Sequence, residues 1–196
     1  MVVAFDFLDV MAWDVSLSAF LLCMGAIMLH YKVPSGLVDE NTGDLRRGFA
    51  IAAGAAGSYL FLSGMMISFS WPFALSGGVY NVLFGGIATL GGLVLLTGAI
   101  TLFLNANLKP VSYFAAVVGL YAFADAYSML KYSLTSAPLL SALGYLSFAA
   151  PALLSVPATH LANKWWRWLF VLFSLLFAVA WLYQAANFTY AHLNPS

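Results

Sequence analysis

The chain has 196 residues, of which 63% are hydrophobic and 7% are charged, and its formal net charge is zero. Soluble domains average about 25% charged residues, so this composition excludes an ordinary soluble domain and indicates a multi-pass membrane protein. The expected partner is therefore the lipid bilayer, and the balanced charge gives no indication of a nucleic-acid partner.

Six apolar segments are each long enough to cross a bilayer, which takes about 20 helical residues. Gly and Pro residues mark most of the turns between them. We predict an all-α fold, in which residues 1–196 form a single integral membrane domain, a bundle of six transmembrane helices. Asp44 is the expected N-cap of the second span. The predicted spans cover residues 8–31, 47–69, 79–104, 111–131, 139–161 and 165–190.

The positive residues are distributed unevenly between the two sides of the predicted bundle. All Lys and Arg residues except Lys131 flank the connections between spans one and two, three and four, or five and six. Cytoplasmic loops of membrane proteins carry an excess of Lys and Arg. We therefore expect a protein of the plasma membrane with these connections in the cytoplasm and both termini outside.

The second and third spans each carry a face of small residues. At helical spacing, the second span aligns Ala50, Ala53, Gly57, Gly64 and Ser68, and the third aligns Gly78, Asn81, Gly85, Ala88, Gly92 and Ala99. Small residues allow two membrane helices to approach closely. We expect this hairpin to be the closest helix pair, through glycine-rich packing at Gly57, Gly64, Gly85 and Gly92.

Three short motifs accompany the hairpin: R-R-G-F-A at the entry to the second span, S-W-P-F at its end, and Y-N-V-L-F-G leading into the third. Together they resemble a family of small multi-pass membrane proteins from archaea and bacteria that is classed as a domain of unknown function. In that family an acidic residue often follows the Phe-Gly pair, where this chain has Gly86. The resemblance covers about a third of the chain and supplies no activity. It implies a shared core that includes Trp71, Pro72, Asn81, Phe84 and Gly85.

Asp125 lies well inside the fourth span, about two-thirds of the way along it. Ionisable residues at membrane depth are costly and usually face the interior of a bundle or a water-filled cavity. Helical spacing places Tyr121, Ser128 and Tyr132 on the same face as Asp125. We predict that this stripe lines a polar pocket that opens outward. Polar residues of the first, third and sixth spans are expected to face it, namely Asp14, Asn81, Gln184 and Asn187.

Two interpretations of this pocket stay open. In the first, the protein is a small channel or permease, and Asp125 is the titrating or cation-binding group for a proton, a cation or a small polar solute. In the second, the cluster is structural and its hydrogen bonds hold helices together. The alternative function is a non-catalytic accessory subunit of a larger membrane complex, such as a respiratory one, that binds haem or quinone. A homo-oligomer is compatible with each of these functions.

His30 and His160 end the first and fifth spans on the same side of the predicted bundle. Histidines on two helices can ligate a haem iron, so these two are the haem candidates in a chain for which no cofactor is otherwise predicted. No metal site is predicted, because a zinc site requires more ligands than these segments bring together. The sequence contains no H-E-x-x-H, P-loop or G-x-S-x-G motif, and we expect no enzymatic activity.

Overall fold

The structure, a computed structural model, describes residues 7–32, 40–70 and 78–193. Within these ranges the protein is all-helical and has no strand, which confirms the predicted fold class. Trp71 and Pro72 of the S-W-P-F motif lie outside the described residues. The helices are α1 (Phe7–Lys32), α2 (Glu40–Ser70), α3 (Ile87–Phe103), α4 (Lys109–Tyr132), α5 (Pro138–His160) and α6 (Lys164–Leu193).

Six helical segments in the described part of the chain are long and apolar enough to cross a membrane. The shortest of them, Leu8–Met28, has 21 residues. At 1.5 Å per residue it is about 30 Å long, which matches the hydrocarbon thickness of a bilayer. The structure is therefore consistent with an integral, multi-pass membrane protein.

The helix boundaries differ from the predicted spans mainly in α2. This helix begins at Glu40, so Asp44 lies within its first turns and does not cap it. Asp44 instead forms a long, exposed ion pair with Arg47 at 3.9 Å. Helices α4 and α5 each have a proline in their first turn, Pro110 and Pro138. A proline costs no hydrogen bond there, because the first amide groups of a helix have no intrahelical acceptor.

The chain enters α3 through a π-helical turn, Asn81–Gly86, which the sequence pattern did not predict. Gly78 precedes this turn with a φ of 80°, a left-handed conformation that favours glycine. The amide of Asn81 donates to the carbonyl of Gly78 at 3.0 Å. Single π-helical turns often occur at functional sites, because they redirect the side chains and carbonyl groups of the helix.

The six helices form a closed ring in the order of the sequence. Each helix packs on its neighbours in the chain, and α6 packs on α1. The most extensive contacts join α2 to α3 and α4 to α5, whereas α3 and α4 touch least. Neighbours are antiparallel: on α1 and α6, for example, Trp13 contacts Thr189 and Cys23 contacts Val171.

Because neighbours alternate in direction, the two ends of the ring differ. We call one the termini end, since α1 begins and α6 ends there. The other is called the basic end, after the positive residues that lie at it among the described side chains. These residues are Arg46, Arg47, Lys109, Lys164 and Arg167.

The α2–α3 contact brings two backbones together through glycines. A Cβ atom on Gly92 would lie 2.3 Å from the amide nitrogen of Phe61, and one on Gly64 would lie 2.3 Å from that of Thr89. A Cβ on Gly57 would likewise lie 2.8 Å from a backbone nitrogen of α3. Each distance is far below the roughly 3.5 Å at which nonbonded heavy atoms settle. The present separation of α2 and α3 therefore requires glycine at these positions.

Candidate functional site: an interior cavity and a buried aspartate

The helix ring surrounds a partly open cavity of about 550 Å³, and all six helices contribute to its wall. This volume is in the range of small-molecule binding pockets, about 300–1,000 Å³. On α3 the lining residues run from Ile87 to Leu102, a distance of about 22 Å at 1.5 Å per residue. The cavity is therefore elongated and runs along the ring axis.

The wall of the cavity is almost entirely apolar. Leu, Ile, Val, Ala and Phe side chains make up most of it, and no Asp or Glu of the described residues lines it. The lining residues that carry a hydroxyl, an amide or a charge are few, namely Ser18, Asn107, Lys109, Ser112, Tyr145, Ser155, Thr159 and Arg167. Binding sites for small molecules have this composition, because a few polar groups orient a molecule that apolar contact holds.

Ser18 is an unusual member of this wall. Its side chain is only 2% exposed, and its Oγ atom has no hydrogen-bond partner in the described structure. Buried hydroxyl groups nearly always have a partner, so an unpaired one calls for an explanation. A molecule in the cavity could provide the missing hydrogen bond.

A ladder of hydroxyl groups joins α4 to α5 near the basic end. Thr159 Oγ1 donates to Ser112 Oγ at 3.0 Å, and Ser155 Oγ contacts the Ser112 carbonyl at 3.1 Å. Ser112 Oγ in turn donates to the Lys109 carbonyl at 2.8 Å. No role was predicted for these hydroxyl groups, although the Ser and Thr residues that carry them are visible in the sequence. They make this end of the cavity more polar than its middle.

Asp125 is a residue of α4 that does not line this cavity. The residue is 9% exposed, and its Oδ2 atom is buried without a hydrogen-bond partner. Tyr121, one turn earlier on α4, places its hydroxyl against Gly86, 2.5 Å from where a Cβ would be. Tyr145 is fully buried, close enough to Asp125 and Tyr121 for electrostatic interaction. The structure thus brings Asp125 and Tyr121 together and adds Tyr145, which the sequence analysis missed.

The carbonyl groups of the π-helical turn near this cluster already accept hydrogen bonds. Tyr145 Oη donates to the Leu83 carbonyl at 2.8 Å, and Thr89 Oγ1 donates to the Gly85 carbonyl at 2.7 Å. The amide of Ile87 donates to the carbonyl of Phe84. Each of these three carbonyl groups therefore accepts at least one hydrogen bond within the protein.

Other residues of the predicted pocket lie apart from Asp125. Ser128 Oγ donates to the carbonyl of Ala124 in its own helix at 2.9 Å. Tyr132 is exposed, and the Lys131 ammonium lies 5.2 Å from its ring centroid. Asn187 on α6 is also exposed. These three side chains therefore do not close a pocket over the aspartate.

The remaining predicted pocket residues are largely buried but belong to different interfaces. Asn81 is fully buried at the start of the π-helical turn. Gln184 packs directly against Gly144 at the α5–α6 contact. Asp14, whose Oδ2 atom is buried without a partner, is on α1. Because α1 packs on α2 and α6 whereas α4 packs on α3 and α5, Asp14 and Asp125 belong to helices that do not share an extensive contact.

A hydrogen-bonded chain at the termini end was also missed by the sequence analysis. Trp13 Nε1 donates to Thr189 Oγ1 at 3.0 Å, and Thr189 Oγ1 donates to Asp9 Oδ1 at 2.6 Å. It joins α1 to α6 and gives Asp9 a structural role.

Of the two histidines predicted as haem candidates, only His160 has a described side chain. His160 Nδ1 lies 3.0 Å from the Val156 carbonyl, and its ring packs on Tyr113 with centroids 4.7 Å apart. His160 does not line the cavity. The side chain of His30 lies outside the described part of the structure. Among the described residues no group of three or more His, Cys, Asp or Glu could hold a metal ion.

Comparison with known proteins identifies the family. A family model described as "Protein of unknown function (DUF981)" matches residues 1–195. The chain therefore belongs to this family, and the match extends over the whole chain beyond the motifs of the α2–α3 hairpin. Searches of the curated proteins and of the solved structures gave no match.

Proposed function

We propose that this membrane protein is a permease-like carrier or receptor that holds a lipophilic small molecule inside its helix ring. The observation that carries this proposal is the elongated apolar cavity of about 550 Å³ whose wall includes all six helices. Because every helix contributes to the wall, a molecule bound in the cavity contacts all six helices.

The composition of the wall supports a lipophilic occupant. Leu, Ile, Val, Ala and Phe side chains make up most of the lining, and apolar contact holds the bound molecule in pockets of this kind. Quinones belong to this chemical class.

Buried Asp125 favours a second candidate function, a channel or permease for a proton, a cation or a small polar solute. Its Oδ2 atom is buried without a partner, and a structural carboxyl group would be expected to have one. Ionisable residues at membrane depth usually mark ion or proton pathways. In this function the cavity is a space in the scaffold, and Asp125 is the functional group.

The proposed orientation places the basic end in the cytoplasm and both termini outside the plasma membrane. All positive residues except Lys131 flank the connections at the basic end. Excess Lys and Arg on the cytoplasmic side is the usual determinant of orientation. The basic end of the cavity then faces the cytoplasm.

The test is saturable binding of a lipophilic fluorescent probe to the purified protein in a nonionic detergent. Gly91→Leu should fill the cavity, because Gly91 lines it and a Cβ there meets nothing closer than Phe148 at 3.8 Å. Gly48→Leu is the matched control, since Gly48 is exposed and a Cβ there meets no atom within 4 Å. We expect Gly91→Leu to weaken binding at least tenfold and Gly48→Leu to leave it unchanged.

Two outcomes would contradict the proposal. One is the absence of saturable binding by the wild-type protein. The other is equal affinity of the wild type and a folded Gly91→Leu variant. Folding is checked by thermal unfolding of each variant, so that a loss of binding is not confused with a loss of structure.

A further inference from the structure

The two ends of the cavity differ in chemistry. At the termini end its lining is apolar and aromatic and includes Leu8, Phe84, Trp181 and Phe188. At the basic end the lining includes Asn107, Lys109, Ser112, Thr159 and Arg167. Among the described side chains, two cations and no carboxylate therefore line the same cavity. A bound molecule meets positive charge and hydrogen-bonding groups at one end and hydrocarbon along the rest.

We infer that the ligand is a single-chain amphiphile with an anionic head group. The head group lies at the basic end beside Lys109 and Arg167, and the hydrocarbon chain runs along the cavity towards Trp181. This inference rests on the proposed function, because it names the class of molecule that the cavity holds.

The shape of the cavity favours one chain. Lining residues extend for about 22 Å along α3, from Ile87 to Leu102. A cavity of this length and of about 550 Å³ accommodates an extended hydrocarbon chain.

The charge at the basic end favours an anion. Lys109 and Arg167 are the only charged residues that line the described cavity. Helices α4 and α6 begin at this end, and Lys109 and Arg167 lie in their first turns. The N-terminal ends of helices add a partial positive charge that stabilises anions. An anionic head group is therefore attracted by both side chains and backbone, and a cationic one is repelled.

The first experiment compares head groups on one chain. Binding of hexadecyl phosphate, hexadecanoate, hexadecanol and hexadecyltrimethylammonium is measured by displacement of the fluorescent probe from the full-length protein. We expect both anions to bind at least tenfold more tightly than the alcohol, since hydrogen bonds to charged groups are the stronger kind. The cation should bind most weakly. The ratio of phosphate to carboxylate affinity distinguishes the two anionic classes.

Charge-removing variants test which residues contact the head group. Lys109→Gln and Arg167→Gln should each weaken binding of the anions about tenfold and leave hexadecanol unaffected. Lys164→Gln is the matched control, because Lys164 lies at the same end but does not line the cavity. An equal effect of all three variants would show that only the general surface charge acts, and it would overturn the inference.

The direction of the chain is tested with the two tryptophans of the lining, Trp168 near the basic end and Trp181 further towards the termini end. Bromine quenches tryptophan fluorescence on contact. A hexadecanoate brominated near its carboxylate should quench Trp168, and one brominated near its chain end should quench Trp181. Trp168→Phe and Trp181→Phe assign each signal.

The outcomes separate this inference from the proposed function. If hexadecanol binds as tightly as the anions, or if the quenching pattern is reversed, the inference is wrong and the lipophilic cavity stands. If none of the four probes displaces the fluorescent probe and Gly91→Leu has no effect on that probe, the proposed function itself fails.

Discussion

Two adjacent glycines of α3 have different surroundings, and alanine substitutions at the two positions should have opposite effects on the stability of the protein. Gly92 faces α2, where a Cβ would lie 2.3 Å from the Phe61 amide nitrogen and 2.7 Å from the Gly57 carbonyl oxygen. Gly91 faces the cavity, where a Cβ would meet only the Phe148 ring at 3.8 Å. Comparing the two alanine variants therefore distinguishes the effect of close backbone packing from the general effect of glycine on helix stability.

The magnitudes follow from these distances. Alanine at Gly92 has to move the α2 and α3 backbones apart by about 1 Å, since nonbonded heavy atoms settle at about 3.5–4 Å. Overpacking costs about 1–3 kcal/mol, and we expect the upper value because the obstacle is backbone. Alanine also stabilises a helix by about 1 kcal/mol relative to glycine. The expected net effect is a loss of about 2 kcal/mol for Gly92→Ala and a gain of up to about 1 kcal/mol for Gly91→Ala.

The measurement is thermal unfolding in one detergent at one scan rate, because membrane proteins often unfold irreversibly and the rate then matters. For a chain of this size 1 kcal/mol shifts Tm by about 2–4 °C. Gly92→Ala should thus lower Tm by about 4–8 °C, and Gly91→Ala should raise it by about 2–4 °C. Gly64→Ala, with a Cβ 2.3 Å from the Thr89 amide nitrogen, should behave like Gly92→Ala. Equal stability of the two adjacent variants would refute the packing argument.

Three further predictions concern the aspartate cluster and the orientation. Tyr145→Phe removes the hydrogen bond to the Leu83 carbonyl and should cost about 1–2 kcal/mol in the free energy of unfolding, measured by denaturant titration. Asp125→Leu should raise Tm, because it removes a buried oxygen without a partner; a Tm below that of the wild type would indicate a structural role. Asp125→Asn should abolish any pH-dependent uptake into vesicles if the second candidate function is correct. Ala106→Cys in a Cys23→Ala background should react with an impermeant maleimide only in inside-out vesicles, and labelling of intact cells would reverse the proposed orientation.

The number and class of the helices could be predicted because each depends on local sequence. An apolar run of sufficient length is a helix in a membrane whatever its neighbours are, since every backbone group must be hydrogen-bonded within the segment. Closely spaced small residues such as Gly57 and Gly92 are likewise visible in the sequence, and the structure places them at the α2–α3 contact. The start of α2 at Glu40 was missed, because polar residues can extend a helix beyond its apolar run.

The cavity could not be predicted, because it depends on how all six helices are rotated around the ring. Helical periodicity assigns a side chain to a face of its own helix, but it does not say which neighbour that face meets. Tyr145 illustrates this: its bond to Leu83 joins residues 62 positions apart in the sequence. The stripe from Tyr121 to Tyr132 becomes more exposed along the helix: Asp125 is buried, Ser128 is half-buried and Tyr132, the last residue of α4, is exposed.

Tyr145 connects the two candidate sites and determines how they could act together. Its ring lines the cavity, whereas its hydroxyl group is held by the Leu83 carbonyl and lies within electrostatic reach of Asp125. Tyr145 therefore separates the cavity from the aspartate. If Asp125 exchanges a proton while the cavity holds a ligand, movement of Tyr145 and of the π-helical turn is the direct physical route by which one event affects the other. Tyr145→Phe would then change the pH dependence of ligand binding, whereas two independent sites would show the same pH dependence with and without the hydroxyl group.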